Sequence, residues 1–180
     1  MDRYDIEIEH VAFEIHPETP QEGVNLYERI PGAKQGLAQL RERGKPLGLT
    51  FGDIEIMSNT KKALLVGEYA KEKGVSGAYS KAMFQAYFAD ARDIGNEDII
   101  LDIAKSVGLD QEGATAAFTS AAYEAILEEN LRLGHELNIR SVPTFIVNDE
   151  VMVVGSQPEA AFVQVFDQLA GKGQDKKFVL

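Results

Sequence analysis

The run Ser141-Val142-Pro143-Thr144-Phe145-Ile146-Val147-Asn148-Asp149-Glu150-Val151-Met152-Val153-Val154-Gly155-Ser156-Gln157-Pro158 decides how the chain is read. Residues 144–147 and 151–154 are rich in β-branched and aromatic side chains, and Asn148-Asp149-Glu150 between them has turn chemistry, so the segment predicts a β-hairpin. Pro143 has no N–H to give to a ladder, which leaves two resolutions: a trans proline on an edge strand, or a cis bond that turns the chain at the strand entrance. Behind the hairpin, Ser156 or Gln157 caps a helix with Pro158 at its first position and a buried stripe of Ala161, Phe162, Val165, Phe166 and Leu169.

Upstream of the hairpin, helical signals follow one another. Ser58-Asn59-Thr60 opens a helix with Leu64, Leu65, Tyr69 and Ala70 on its apolar side, closed at Gly74. Met83, Phe84, Tyr87 and Phe88 mark a second helix, and Asn96 opens a third that carries Ile99, Ile100, Ile103 and Val107. Asp110 begins a short helix through Phe118, and Ser120 or Ala121 a long one to about Leu137. These five helices form an all-α block. Residues 24–52 are weakly patterned, with one helix ending near Gly44. At the front, Ile6, Ile8 and Ala12 alternate with Val11, Phe13 and Ile15, which predicts a strand over residues 5–15 entering a core. Two prolines and a glycine make residues 16–23 a loop.

The chain's 180 residues suffice for one domain, or two small lobes, without disulfides or metals. A net charge of −11, with acidic residues spread throughout, argues against nucleic acid and anionic membranes as partners. The absence of cysteine removes thiol nucleophiles, Cys-based zinc sites and dithiol chemistry performed by this chain alone. Acidic residues in Met1-Asp2-Arg3-Tyr4-Asp5 do not suit a signal peptide, and the expected location is the cytoplasm.

Val142-Pro143-Thr144-Phe145, the Asn148-Asp149-Glu150 turn and Val154-Gly155-Ser156-Gln157-Pro158 together resemble the C-terminal half of DsbA-like thioredoxin-fold proteins, especially the FrnE-type branch. Phe13-Glu14-Ile15-His16-Pro17, Ser58-Asn59-Thr60 and Ala86-Tyr87-Phe88 extend the resemblance from about Tyr4 to Leu169. The resemblance implies an α/β, thioredoxin-like fold with an all-helical insertion domain. It places the thioredoxin-like part at 1–57 and 138–170, the insertion at 58–137 and a flexible tail at 171–180. It also implies a cis-proline groove, with Val142, Pro143, Thr144 and Gln157 as substrate-binding residues and no catalytic residue. The family performs thiol–disulfide exchange at a Cys-x-x-Cys motif opposite that groove. Its first strand, motif and first helix belong before residues 5–15 and are expected to be missing from this sequence. The chain is then redox-inactive by itself, since attack on a disulfide needs a thiolate.

Two other readings stay beside this one. A glutathione-dependent relative, similar to 2-hydroxychromene-2-carboxylate isomerase and kappa-class glutathione transferases, has the same fold, and residues 155–157 could border its ligand at a helix N-terminus. A non-enzymatic module would hold an extended peptide in the groove. No cofactor is expected. The expected partners are an extended peptide, a small thiol such as glutathione, or a second copy completing the sheet.

The remaining constellations read as structural. His10, His16 and His135 lack metal-ligand spacing, and no metal site is expected. Phe84, Tyr87 and Phe88 read as the contact between insertion and sheet, and the glycines form no phosphate-binding motif. In the family the missing strand lies between the strand at 5–15 and the hairpin strand beginning near Thr144. Three remedies are expected for that gap: direct pairing of the two strands, a strand donated by another chain, or an upstream coding segment, which is favoured.

Overall fold

A computed structural model describes residues 4–170 and 177–179 of the chain. They belong to two compact units, His16–Glu129 and the combination of Met1–Ile15 with Asn130–Leu180. Residues 16–57 group with the helical block in the first of these units.

In the unit His16–Glu129, β2 (Val24–Asn25) pairs antiparallel with β3 (Ile56–Met57). Asn25 caps α1 (Leu26–Arg29), its Oδ1 accepting the N–H groups of Tyr27 and Glu28. After α2 (Ala33–Gly44) the chain returns through Ile54, and Leu26, Leu37, Ile54 and Met57 form a small core against Tyr87 and Phe88. The Tyr87 hydroxyl donates to the Ile56 carbonyl at 3.0 Å. The aromatic stripe therefore meets the two-stranded β2–β3 pair.

A larger core joins α3 (Lys61–Glu72), α4 (Ser76–Phe84), α5 (Glu97–Ser106) and α6 (Gln111–Ala117). Val66, Ala70, Ile100 and Ala114 are at its dry centre. Caps make the helix starts legible: Asn96 Oδ1 accepts from Asp98 and Ile99, and Asp110 Oδ1 accepts from Gly113 at 2.6 Å. Gly74 and Gly108, at φ 73° and 88°, take the left-handed turns that end α3 and α5. Thr60, by contrast, makes no side-chain cap bond; Asn59 Oδ1 accepts from Lys61 in its place. Residues 85–89 widen into a π-helical turn in which the Asp90 N–H reaches the Gln85 carbonyl. The next helix, α7 (Ala121–Glu136), crosses the boundary between the units.

In the other unit, β4 (Thr144–Val147) and β5 (Val151–Val154) form the expected antiparallel hairpin. Asn148 and Asp149 both adopt positive φ, and the Glu150 N–H donates to Val147, as in a tight hairpin turn. From α8 (Glu159–Ala170), Phe166 and Leu169 pack on Val147, with Tyr4, Ile6 and Phe162 around them. The Tyr4 and Phe166 rings are 5.1 Å apart, and the Tyr4 hydroxyl donates to Asp167 at 2.6 Å.

Two expectations about the sheet are corrected. The first strand, β1, spans Asp5–Glu7 only, whereas the alternation predicted residues 5–15. A strand lasts as long as a neighbour pairs its backbone, and beyond Glu7 the apolar side chains Ile8, Val11 and Ile15 are exposed. The tail, expected to be flexible, supplies that neighbour: β6 (Lys177–Val179) pairs parallel with β1 in the register Asp5↔Lys177, Ile6↔Phe178, Glu7↔Val179. Backbone positions of β6 also come within 8 Å of β4, Cα to Cα. None of the three expected remedies described a strand from the chain's own C-terminus. Residues 171–176, the rest of that tail call, lie outside the described residues.

Leu169 has no exposed surface. Leu169→Ala should therefore destabilise the chain by about 2–5 kcal/mol, through lost burial and a residual cavity, as read by urea unfolding. The carboxyl of Asp110 is held below the usual range, first by the Tyr69 hydroxyl and then by the Gly113 N–H. A lowered folded value contributes stability above the unfolded value of about 3.9, and that stability disappears as pH falls through the folded value. Asp110→Ala should lower the urea midpoint at pH 7, and its difference from the parent chain should shrink on acidification below about pH 4.

Candidate functional site

Hairpin register brings the sequence-predicted residues together. Thr144 lies opposite Val154 at the open end of the β4–β5 ladder, so the segment before β4 and the segment after β5 are neighbours. The Gly155 N–H donates to the Pro143 carbonyl at 2.8 Å and ties the two segments. The Val142–Pro143 peptide bond is cis. Thr144 Oγ1 donates to the Ser141 carbonyl at 2.7 Å, closing the turn around the proline.

Gln157 is used locally. Its Nε2 donates to the Val154 carbonyl at 2.8 Å, and its backbone N–H donates to Gly155 at 2.9 Å. Helix α8 starts at Glu159, one residue later than the position expected for Pro158, and the Ala161 N–H donates to the Pro158 carbonyl.

Val142 is the open member of the group. Half of its surface is exposed, and among the described residues its backbone N–H and C=O have no hydrogen-bond partner. An unpaired donor and acceptor on one exposed residue can add a strand-like ligand by backbone pairing. Val142, Pro143, Thr144, Gly155, Ser156 and Gln157 carry no ionisable side chain. The loop can therefore bind and orient, but its own side chains offer no acid, base or thiolate.

His16 Nδ1 is 3.3 Å from Glu18, and the His135 ring meets Phe13 edge-on at a centroid distance of 6.5 Å. Among the described residues no group of three His, Cys, Asp or Glu side chains could hold a metal ion, and no helix is long and apolar enough to cross a membrane. Sequence reasoning placed Gly155 beside a possible ligand at the helix start and missed its other role, the N–H that holds the proline loop.

A family model described as the DSBA-like thioredoxin domain matches residues 1–167. The uncharacterized protein YwbO of Bacillus subtilis (strain 168) is 31% identical over 180 residues, covering 96% of this chain and 85% of its own. The ClpXP adapter protein SpxH of Shouchella clausii (strain KSM-K16) is 25% identical over 129 residues, which is 67% of this chain and 43% of SpxH. Among solved structures, a probable DsbA oxidoreductase from Streptomyces coelicolor superposes with a TM-score of 0.81 at 24% identity, over 90% of this chain and 74% of that one. The fold is thus α/β and thioredoxin-like, with a helical insertion.

Gly155 has φ 80°, a left-handed conformation that costs a residue with a Cβ about 1–2 kcal/mol. Gly155→Ala should lower stability by about that amount. It should also shift the amide resonances of Val142 and Thr144 more than those of the helices α3 to α6.

Proposed function

The chain belongs to the family of DSBA-like thioredoxin domains, and on that premise we propose that these 180 residues are a FrnE-type relative of the thiol–disulfide oxidoreductases that binds an extended peptide without exchanging dithiols. The observation that carries the reading is the exposed, unpaired backbone of Val142 beside Pro143 in a chain with no sulfur nucleophile. Val142 donates and accepts along a peptide backbone, Pro143 and Thr144 hold it in position, and Gln157 steadies the far side through Val154. Disulfide reduction would require a thiolate, and this chain supplies none. A net charge of −11 supports a protein partner over nucleic acid or an anionic membrane.

The glutathione reading is weaker on two counts. The Gln157 side chain already donates to Val154, and Glu159 sits in the first turn of α8, where its charge opposes that of a bound carboxylate. A binding role without catalysis draws support from the name of the related adapter SpxH.

Three measurements test this. Insulin reduction by dithiothreitol should run at the protein-free rate when the chain is added; acceleration would contradict the proposal. Titration with an unstructured peptide should move the Val142, Thr144 and Gln157 amide resonances, while glutathione at the same concentration should not. Val142→Asp should weaken peptide affinity about tenfold, equivalent to about 1.4 kcal/mol, with the unfolding midpoint unchanged.

A further inference from the structure

The strand β6 lies outside the family match, which ends at residue 167, yet it is the paired neighbour of β1. Only three residues form the ladder, so little backbone pairing holds it in place. In sequence, six residues, 171–176, separate it from α8.

Charge also separates the two partners of this ladder. Residues 171–180 carry three lysines against one aspartate, while residues 1–15 carry five carboxylates against one arginine. A basic segment at one end of an acidic chain is attracted to the acidic strand region of another copy, even though the whole chains repel at a net charge of −11 each. Just past β1, Ile8 and Val11 are each 59% exposed and leave apolar surface for a second copy to cover.

From the register, the short ladder and the charge asymmetry, we propose that β6 is an exchangeable strand: β6 of a second copy takes the place beside β1, and two chains form a reciprocal strand-exchanged dimer. Backbone pairing is the same in either arrangement, so exchange needs no new interface chemistry, and swapping of an identical element is a low-cost route to a dimer. The inference is independent of the peptide-binding reading of Val142.

Because the chain has no cysteine, introduced thiols report the pairing without interference. Ile6 and Phe178 are directly paired positions. Adjacent strands put such positions within the Cα separation of about 4.4–6.8 Å that a disulfide requires. The full-length Ile6→Cys, Phe178→Cys double variant is oxidised mildly, and its products are separated without reductant and mapped by mass spectrometry. The expected product is a covalent dimer linked 6 to 178 between chains, its share rising with protein concentration. Mixing the two single variants should likewise give the 6-to-178 heterodimer. Light scattering of the unsubstituted chain should report twice 19.8 kDa. A cross-linked monomer at every concentration, no 6-to-178 link at all, or a one-chain mass for the parent would each overturn the proposal.

Discussion

The structure of the unit holding the site depends on the pairing of a three-residue strand. Tyr4 and Ile6 reach the core of Val147, Phe166 and Leu169 only because the backbone between them runs as a strand, and a strand needs a hydrogen-bonded neighbour. β6 pairs with Asp5, Ile6 and Glu7, and at Ile8 the chain leaves the ladder. With β1 in place, α8 has a sheet to lie on, and the hairpin that carries the proline loop is held through Val147.

What this scaffold presents is a loop with geometry and no reactive group. The turn at Pro143 is fixed from both sides, by Thr144 onto Ser141 and by Gly155 onto Pro143, which leaves Val142 exposed with its donor and acceptor unpaired. Fixing the loop in advance lowers the ordering cost of binding an extended ligand. Chemistry is another matter: exchange of disulfides depends on a thiolate, and the residues around this loop hold none.

Much of this was legible where the determinants are local. Asn96 and Asp110 announced helix starts through capping chemistry, the Asn148-Asp149 turn announced the hairpin, and apolar spacing located the stripe of Phe162, Phe166 and Leu169. The candidate residues Val142, Pro143, Thr144 and Gln157 came from the family resemblance, and hairpin register explains why the segments that hold them are neighbours. Elements fixed by remote partners were not legible. Lys177, Phe178 and Val179 follow a polar run and have no periodicity of their own, so their strand exists only because residues 5–7 pair with it. The converse error occurred at Ile8, Val11 and Ile15, where alternation predicted a strand that no neighbour sustains. The two-residue ladder of Val24 and Asn25 with Ile56 and Met57 is likewise a product of tertiary position.

Amide hydrogen exchange of the full chain, resolved to single residues, tests most directly whether the C-terminal segment pairs with β1. Pairing of β6 with β1 predicts slowed exchange in Asp5–Glu7 and Lys177–Val179 together, both lost at the same low denaturant concentration. Rapid exchange at Lys177–Val179 while Asp5–Glu7 stays protected would contradict it.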